Sequence, residues 1–312
     1  MTRARGMDHT HYAYSPLPTR PRLVWPENAH LALTLFLHFE YWELNPPPGS
    51  HSDPRFGDTF GNFFPDYRTY SWREYGNRVG IFRILEILDR YNLNVTVAAG
   101  AAACERYPFL VKEFLSRGYE FAAHGNYATR LLTSRNPEDH ERDVIASSIA
   151  TVEAACGRRP TGWISQDQSE SARTPALLAE AGLSYVVDWP NDDQPYPMTV
   201  ARPLLSIPYQ AEWDDVQLLW HRRVLSPRYP VIIGDAFDQL HREGRQSGRF
   251  FGLHIHPWLF GMPHRTRYLD EALARITGRD GVWNATAGSV AAHVMSGGGN
   301  AKTEAGERTG DQ

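Results

Sequence analysis

Phe121-Ala-Ala-His-Gly-Asn-Tyr-Ala128 decides how this chain is read. A small apolar run stops at His124, and Gly125 then lets the backbone turn at once. That is the pattern of a buried strand delivering a histidine to its end. In α/β proteins the ends of parallel strands are where ligands are handled. Two other stretches offer partners for the same place: Leu35-Phe-Leu-His-Phe-Glu40 and Phe251-Gly-Leu-His-Ile-His256. His38 and Glu40 are two residues apart, as are His254 and His256, so a strand turns each pair to one face. Ionisable groups on a shared face at the end of an apolar strand are costly to bury without a purpose.

Working outward, short apolar strands alternate with amphipathic helices. Strands are expected at 31–40, 94–100, 119–124, 162–165, 185–188, 204–208, 249–256 and 282–286. Helices are expected from Ile81, over 104–117, 136–156, from Thr174, over 229–243, 266–277 and 287–295. Near-continuous hydrophobicity in the strands indicates a parallel sheet covered on both faces. Between Tyr41 and Asn77 the chain is rich in Pro, Gly and aromatics, and it reads as a long loop walling the pocket. The domain organisation expected is an arm over residues 1–26, one α/β domain over 27–296, and a disordered tail over 297–312.

Composition narrows the function. The chain has 312 residues, 42% of them hydrophobic, and a net charge of -4; its pI is near 6.4 and its mean hydropathy -0.47. Nothing in that balance attracts nucleic acid or an anionic membrane. No run approaches the roughly 18 apolar residues of a membrane span, and no signal-peptide core precedes the first strand. A cytoplasmic protein with a small-molecule substrate is expected. The two cysteines, Cys104 and Cys156, lack metal-site spacing and read as free thiols. No phosphate-binding glycine motif argues for a nucleotide cofactor, and no Gly-x-Ser-x-Gly elbow for a serine nucleophile. Carboxylates and imidazoles remain, the groups that activate water with or without a metal.

Several motifs carry a family likeness. Tyr75-Gly-Asn-Arg-Val-Gly80, Ala123-His-Gly125, Gly162-Trp163, Asp188-Trp-Pro-Asn-Asp-Asp-Gln-Pro-Tyr196, His256-Pro257 and Gly261-Met-Pro-His-Arg265 occur in that order. Together they resemble the polysaccharide deacetylase (NodB-homology) superfamily across about residues 30 to 295. Within it they look like the branch of PuuE-type allantoinases and cyclic imide hydrolases. The resemblance implies a single distorted (β/α) TIM-like barrel of about seven strands, hydrolysis of an amide, imide or ureide C–N bond, and a homo-oligomer.

This sequence also departs from the family pattern. His38 and Glu40 stand where deacetylases carry two aspartates, and Ala128 stands where the second histidine of a His-x-x-x-His zinc motif belongs. Glu40 and His124 are therefore the metal ligands expected if zinc or another divalent ion is used, with Asn126, His38 or His254 completing the set, and metal-free catalysis is the other option. The expected roles follow from the resemblance. Glu40 and His124 hold or activate water, His256 serves as acid or oxyanion donor, and Asp188 orients one imidazole. His38, Asn126, Asp167, Trp189 and His254 are the expected substrate contacts. Deacetylation of an acetylated amino sugar is the alternative activity, and an inactive ligand-binding member the alternative class.

Overall fold

A computed structural model describes residues 7–48, 50 and 65–297. Strand β1 (Leu31–Phe39) is buried at all nine positions, as a strand covered on both faces must be. Its odd-numbered residues, Leu31 to Phe39, pack outward in a cluster with the surrounding helices. Ala32 and Phe36 belong instead to the inner core. The alternation continues past the strand, so His38 and then Glu40 follow Phe36 on the inner face.

Around β1 the chain lays down β2 (Val95–Ala99), β3 (Glu120–Ala123), β4 (Gly162–Trp163), β5 (Tyr185–Val186), β6 (Tyr196–Pro197), β7 (Leu205–Ser206), β8 (Arg249–Ile255) and β9 (Val282–Asn284). The order is β6-β7-β5-β4-β3-β2-β1-β8, with β9 also on β1. Every pairing is parallel except β6 with β7. The result is a curled α/β sheet, the distorted (β/α) half-barrel expected of a NodB-type fold. β6 is an addition that the sequence did not announce: its two residues carry a proline and no apolar run.

The helices are α1 (Tyr67–Tyr75), α2 (Ile81–Arg90), α3 (Ala101–Arg106), α4 (Pro108–Ser116), α5 (Glu138–Cys156), α6 (Thr174–Glu180), α7 (Tyr229–Gly244), α8 (Pro257–Phe260), α9 (Thr266–Ile276) and α10 (Ala287–Met295). Two differ from expectation. The helix expected over 104–117 is broken at Tyr107, whose φ of -122° and ψ of 57° are forced out of the helical region by the following Pro108. α1 lies inside the stretch read as a loop. Its polar face pattern hides it, since Arg73 is its one buried residue. Its start is set by Asp66, whose carboxylate accepts from the Thr69 amide at 3.0 Å. Residues 49 and 51–64 of that stretch, including Phe60, Phe63 and Phe64, and the tail from 298 onward lie outside the described residues. The arm from residue 7 lies against its own barrel. His11 accepts from the Thr199 amide at 2.7 Å, and Trp25, 1% exposed, plugs the base of the inner core.

After α1 a π-helical turn, Gly76–Gly80, leads into α2. This is the Tyr-Gly-Asn-Arg-Val-Gly motif, and its glycines have a steric cause. A Cβ on Gly76 would sit 2.5 Å from the Trp258 amide nitrogen, and one on Gly80 2.5 Å from the Pro257 carbonyl oxygen. Gly261 meets Gly80 from the other side. Backbone therefore packs directly on backbone, and α1 is pressed against the segment that carries His256. Gly80→Ala is expected to destabilise the protein by roughly 1–3 kcal/mol, as overpacking does, in denaturant unfolding. An unchanged midpoint would contradict the close approach.

Candidate active site

The inner face of the barrel ends in a cleft with roughly 640 Å³ of atom-free space, part of it open to solvent. At its floor one carboxylate oxygen collects three imidazoles. Glu40 Oε1 lies 3.4 Å from His124 Nε2, 3.8 Å from His38 Nδ1 and 4.0 Å from His256 Nε2. Three strands deliver these groups. β1 brings His38 and Glu40, β3 ends one residue before His124, and β8 ends one residue before His256. Gly125, with φ +69°, turns the chain away after His124. The other carboxylate oxygen, Oε2, accepts from Trp42 Nε1 at 3.0 Å.

Each imidazole is braced from behind. The Ile164 carbonyl lies 2.6 Å from His124 Nδ1. A carbonyl only accepts, so that nitrogen carries a proton and Nε2 faces Glu40. His38 Nε2 lies 3.0 Å from His254 Nδ1, and His254 is itself stacked between Phe36 and Tyr209. His256 Nδ1 lies 2.6 Å from Asp215 Oδ1, while Asp215 Oδ2 accepts from the His256 backbone amide at 2.8 Å.

Charge follows burial. Desolvation alone would raise the Glu40 carboxyl, but the polar contacts of His124 and His38 outweigh it and hold Glu40 well below the usual carboxylate range. Burial, then neighbouring His256, drives His38 down to about 3. Burial likewise lowers His254 and His256, in the latter case against the pull of Asp214 and Glu40. Asp215 is pushed up by burial, against the backbone amides of His256 and Val216. Where the proton shared at 2.6 Å sits on Asp215 Oδ1, neutral His256 carries its own proton on Nε2, directed at Glu40 and the cleft. Charge is thus favoured on Glu40 and disfavoured by burial on His38, His254 and His256.

Two sets of side chains have the spacing of a metal site: His38, Glu40 and His256, and Asp214, Asp215 and His256. In the second set the carboxylates are already engaged, Asp214 by Tyr209 and the Gln217 amide, Asp215 by His256. In the first, His38 Nδ1 is buried without a hydrogen-bond partner. Two ligands of one ion at ~2.1 Å can be at most about 4.2 Å apart, and the Glu40 distances of 3.8 and 4.0 Å satisfy that. The first set, with His124 beside it, fits a divalent cation.

The sequence-derived candidates are distributed as follows. Glu40, His38 and His256 line the cleft with Asp167, and His124 stands behind Glu40. His254 supports His38 from below and does not reach the cleft. Asn126 turns outward to Ser147 at 2.9 Å. Asp188 accepts from the Ser165 amide at 2.7 Å and neighbours Glu170; His124 acts on it electrostatically, without a hydrogen bond between them. The orienting acid is Asp215, from an irregular segment with no apolar pattern to mark it. Trp189 packs with His9, His11 and Tyr12 of the arm, away from the cleft. Arg73, Trp42 and Trp258 line the cleft and went unread, because they come from a polar helix and two turns.

Comparisons with known proteins agree with the fold and the motifs. Residues 74–186 match the polysaccharide deacetylase family model. A Schizosaccharomyces pombe protein provisionally assigned as a polysaccharide deacetylase is 28% identical over 318 residues, covering 91% of this chain and 95% of its own. The structure described as a "probable Polysaccharide deacetylase from Pseudomonas aeruginosa PAO1" superposes with a TM-score of 0.78 at 26% identity, over 89% of this chain and 95% of that one. PuuE allantoinase superposes with a TM-score of 0.79 over 94% and 98%, its 24% identity speaking for the fold alone. No helix among the described residues is long and apolar enough to cross a membrane. Residues 74–186 are thus a polysaccharide deacetylase domain, in a chain whose relatives over most of its length are described as deacetylases, hydrolases of carbon–nitrogen bonds other than peptide bonds.

Proposed function

We propose that this chain opens a small cyclic amide, imide or ureide by adding water across a ring C–N bond. The observation that carries the reading is the single ionised carboxylate, Glu40, set among three imidazole nitrogens at 3.4, 3.8 and 4.0 Å and lining a cleft at the end of the barrel.

Glu40 takes a proton from a water molecule whose oxygen adds to the ring carbonyl carbon. The carbonyl electrons move to oxygen, and the Nε2 proton of His256 stabilises that oxyanion, with Asp215 fixing the ring. Protonated Glu40 then delivers its proton to the departing ring nitrogen as the C–N bond breaks. The carbonyl carbon becomes a carboxyl and the nitrogen an amine, amide or urea end for a cyclic amide, imide or ureide respectively. His124, locked by the Ile164 carbonyl, and Trp42, donating to Oε2, hold Glu40 in position. In the alternative, metal-bound form of the site a divalent cation would be held by His38, Glu40 and His256 Nε2, which then carries no proton, and would supply Lewis acidity for polarising the carbonyl or acidifying water.

Deacetylation of an amino sugar is the second reading, and the family match itself favours it. Against it, Ala128 lines the cleft where the family's second zinc histidine belongs. Assaying allantoin, hydantoins, succinimide-type imides and acetylated glucosamine oligomers separates the two. Ring opening supports the reading above, and turnover of the sugars alone overturns it.

Two further outcomes are expected. Glu40→Gln should lower kcat/KM for the best ring substrate by about a thousandfold, within the range of general-base catalysis; retention within threefold would remove Glu40 from the chemistry. Zinc titrated into metal-stripped protein should bind at one equivalent per chain by elemental analysis, and His38→Ala should abolish that binding. Equal zinc content in the variant would exclude His38 as a ligand.

A further inference from the structure

Two stretches have no part in the reaction above: the loop Gln166–Ser171 that follows β4, and Asp188-Trp189 that follows β5. They meet in a contact between two carboxylic side chains. Glu170 lies against Asp188 and Trp189, and Asp188 is 5% exposed. Asp188 Oδ1 accepts from the Ser165 amide at 2.7 Å, while its Oδ2 and both oxygens of Glu170 are buried with no donor placed on them. Arg173, the cation of the same segment, is paired with Glu141: its Nη2 donates to the Asn136 carbonyl at 2.8 Å and to Glu141 Oε2 at 3.2 Å. Two adjacent buried carboxylates without a counter-charge cannot both stay ionised. One proton held between them removes the repulsion and supplies the missing donor. Asp188 already has the Ser165 amide, which favours its charged form, so the proton belongs on Glu170. Burial, then the charge of Asp188, pushes Glu170 up to about 10. Burial raises Asp188 as well, against its contacts with Glu170 and Ser165. Of the other titratable groups, His124 at the end of β3 bears on Asp188 and Glu141 of α5 on Glu170, and His9 and His11 of the arm stand beyond Trp189.

What the pair holds is a wall of the cleft. Ser165, Gln166, Asp167 and Gln168 line it. Asp167 and Gln168 have φ of 50° and 55°, in the left-handed region that residues with side chains seldom enter and that persists only where the surroundings impose it. The turn is fastened at three points. Before it, Asp188 takes the Ser165 amide. Within it, Gln166 Nε2 donates to the His124 carbonyl at 2.7 Å. After it, Glu170 comes back against the same Asp188. We propose that Glu170 and Asp188 are positioning residues that share one proton and, through it, close the strained turn Ser165–Gln168 into a fixed wall of the cleft. Neither touches the reacting atoms. The consequence for substrate rests on the hydrolase reading; the fastening of the turn does not. The folded chain keeps a proton that an unfolded carboxyl loses near the ordinary 4.5, so the stability it contributes is full below that value and is lost as pH rises through about 10.

The test compares the full chain with two variants. Glu170→Gln keeps a donor toward Asp188 but has no proton to lose, and Glu170→Ala removes the contact. Between about pH 5 and about pH 9 the melting temperature of the wild type should fall relative to that of Glu170→Gln by roughly 5 °C or more; parallel curves overturn the shared proton. In hydrogen exchange near neutral pH, the amides of residues 165–168 should exchange about tenfold faster in Glu170→Ala and within about twofold of wild type in Glu170→Gln. Equal protection in the wild type and Glu170→Ala overturns the fastening of the turn. Should Glu170→Ala not fold, the melting comparison of wild type and Glu170→Gln decides alone. For the best substrate of the panel, Glu170→Ala should raise KM about tenfold with kcat within about threefold, and Glu170→Gln should restore both; an unchanged KM overturns the positioning role. If no compound of the panel is turned over, the hydrolase reading fails, while exchange and melting still decide the proposal.

Discussion

The structure depends on keeping one carboxylate charged inside a barrel. Glu40 sits at the inner end of β1 with three imidazole nitrogens around one of its oxygens and an indole N–H on the other. Burial alone would protonate it, and the polar cage more than offsets that penalty. Each member of the cage is neutral-leaning or fixed by a partner outside the cleft. Removing one leaves a buried charge short of its partners, the situation in which a single substitution costs several kcal/mol, about 3–5 in comparable buried pairs. The parallel sheet matters because it sets the positions of β1, β3 and β8 by backbone hydrogen bonds, before any side chain acts.

The wall opposite the sheet is held by a different device. At Gly76, Gly80 and Gly261 there is no room for a side chain, so the π-turn and α8 touch through their backbones. Such a contact is either made or lost and does not deform gradually. It positions Trp258, and Trp258 with Trp42 covers Arg73. The family motif around residues 75–80 is thus a spacing device rather than a reactive one. It sets how far the cation stands from the carboxylate.

Much of this was legible in the sequence because it obeys a period of two. The apolar runs placed β1, β3 and β8, and residues at the same parity beyond Phe36, Ala122 and His254 had to emerge on the inner face. That reasoning found His38, Glu40, His124 and His256 without a structure. It failed where periodicity ends. Asp188 follows a strand, but its carboxylate is taken by the Ser165 amide, and the orienting role falls to Asp215 in an irregular segment. Arg73 was hidden in a helix with no apolar stripe, and nothing in a polar stretch tells which arginine will be buried. Trp189 and Asn126 sit next to strand ends as expected but point away from the cleft, because the chain turns again before their side chains project.

The loss of the second family histidine at Ala128 has a structural counterpart. In a His-x-x-x-His arrangement both imidazoles come from one strand end and the loop after it, so the ligand set inherits that loop's freedom. Here the nitrogens that converge on Glu40 come from β1, β3 and β8, which lie in one hydrogen-bonded sheet. His38 is locked by His254 and His256 by Asp215, so neither ring can swing to accommodate a different ligand distance. A site of this kind is pre-organised by the barrel itself, and the space over Ala128 becomes part of the cleft instead of part of the ligand shell. At Ala128 that position therefore borders the cleft, while Glu40, His38, His124 and His256 stand on or beside paired strands of one sheet.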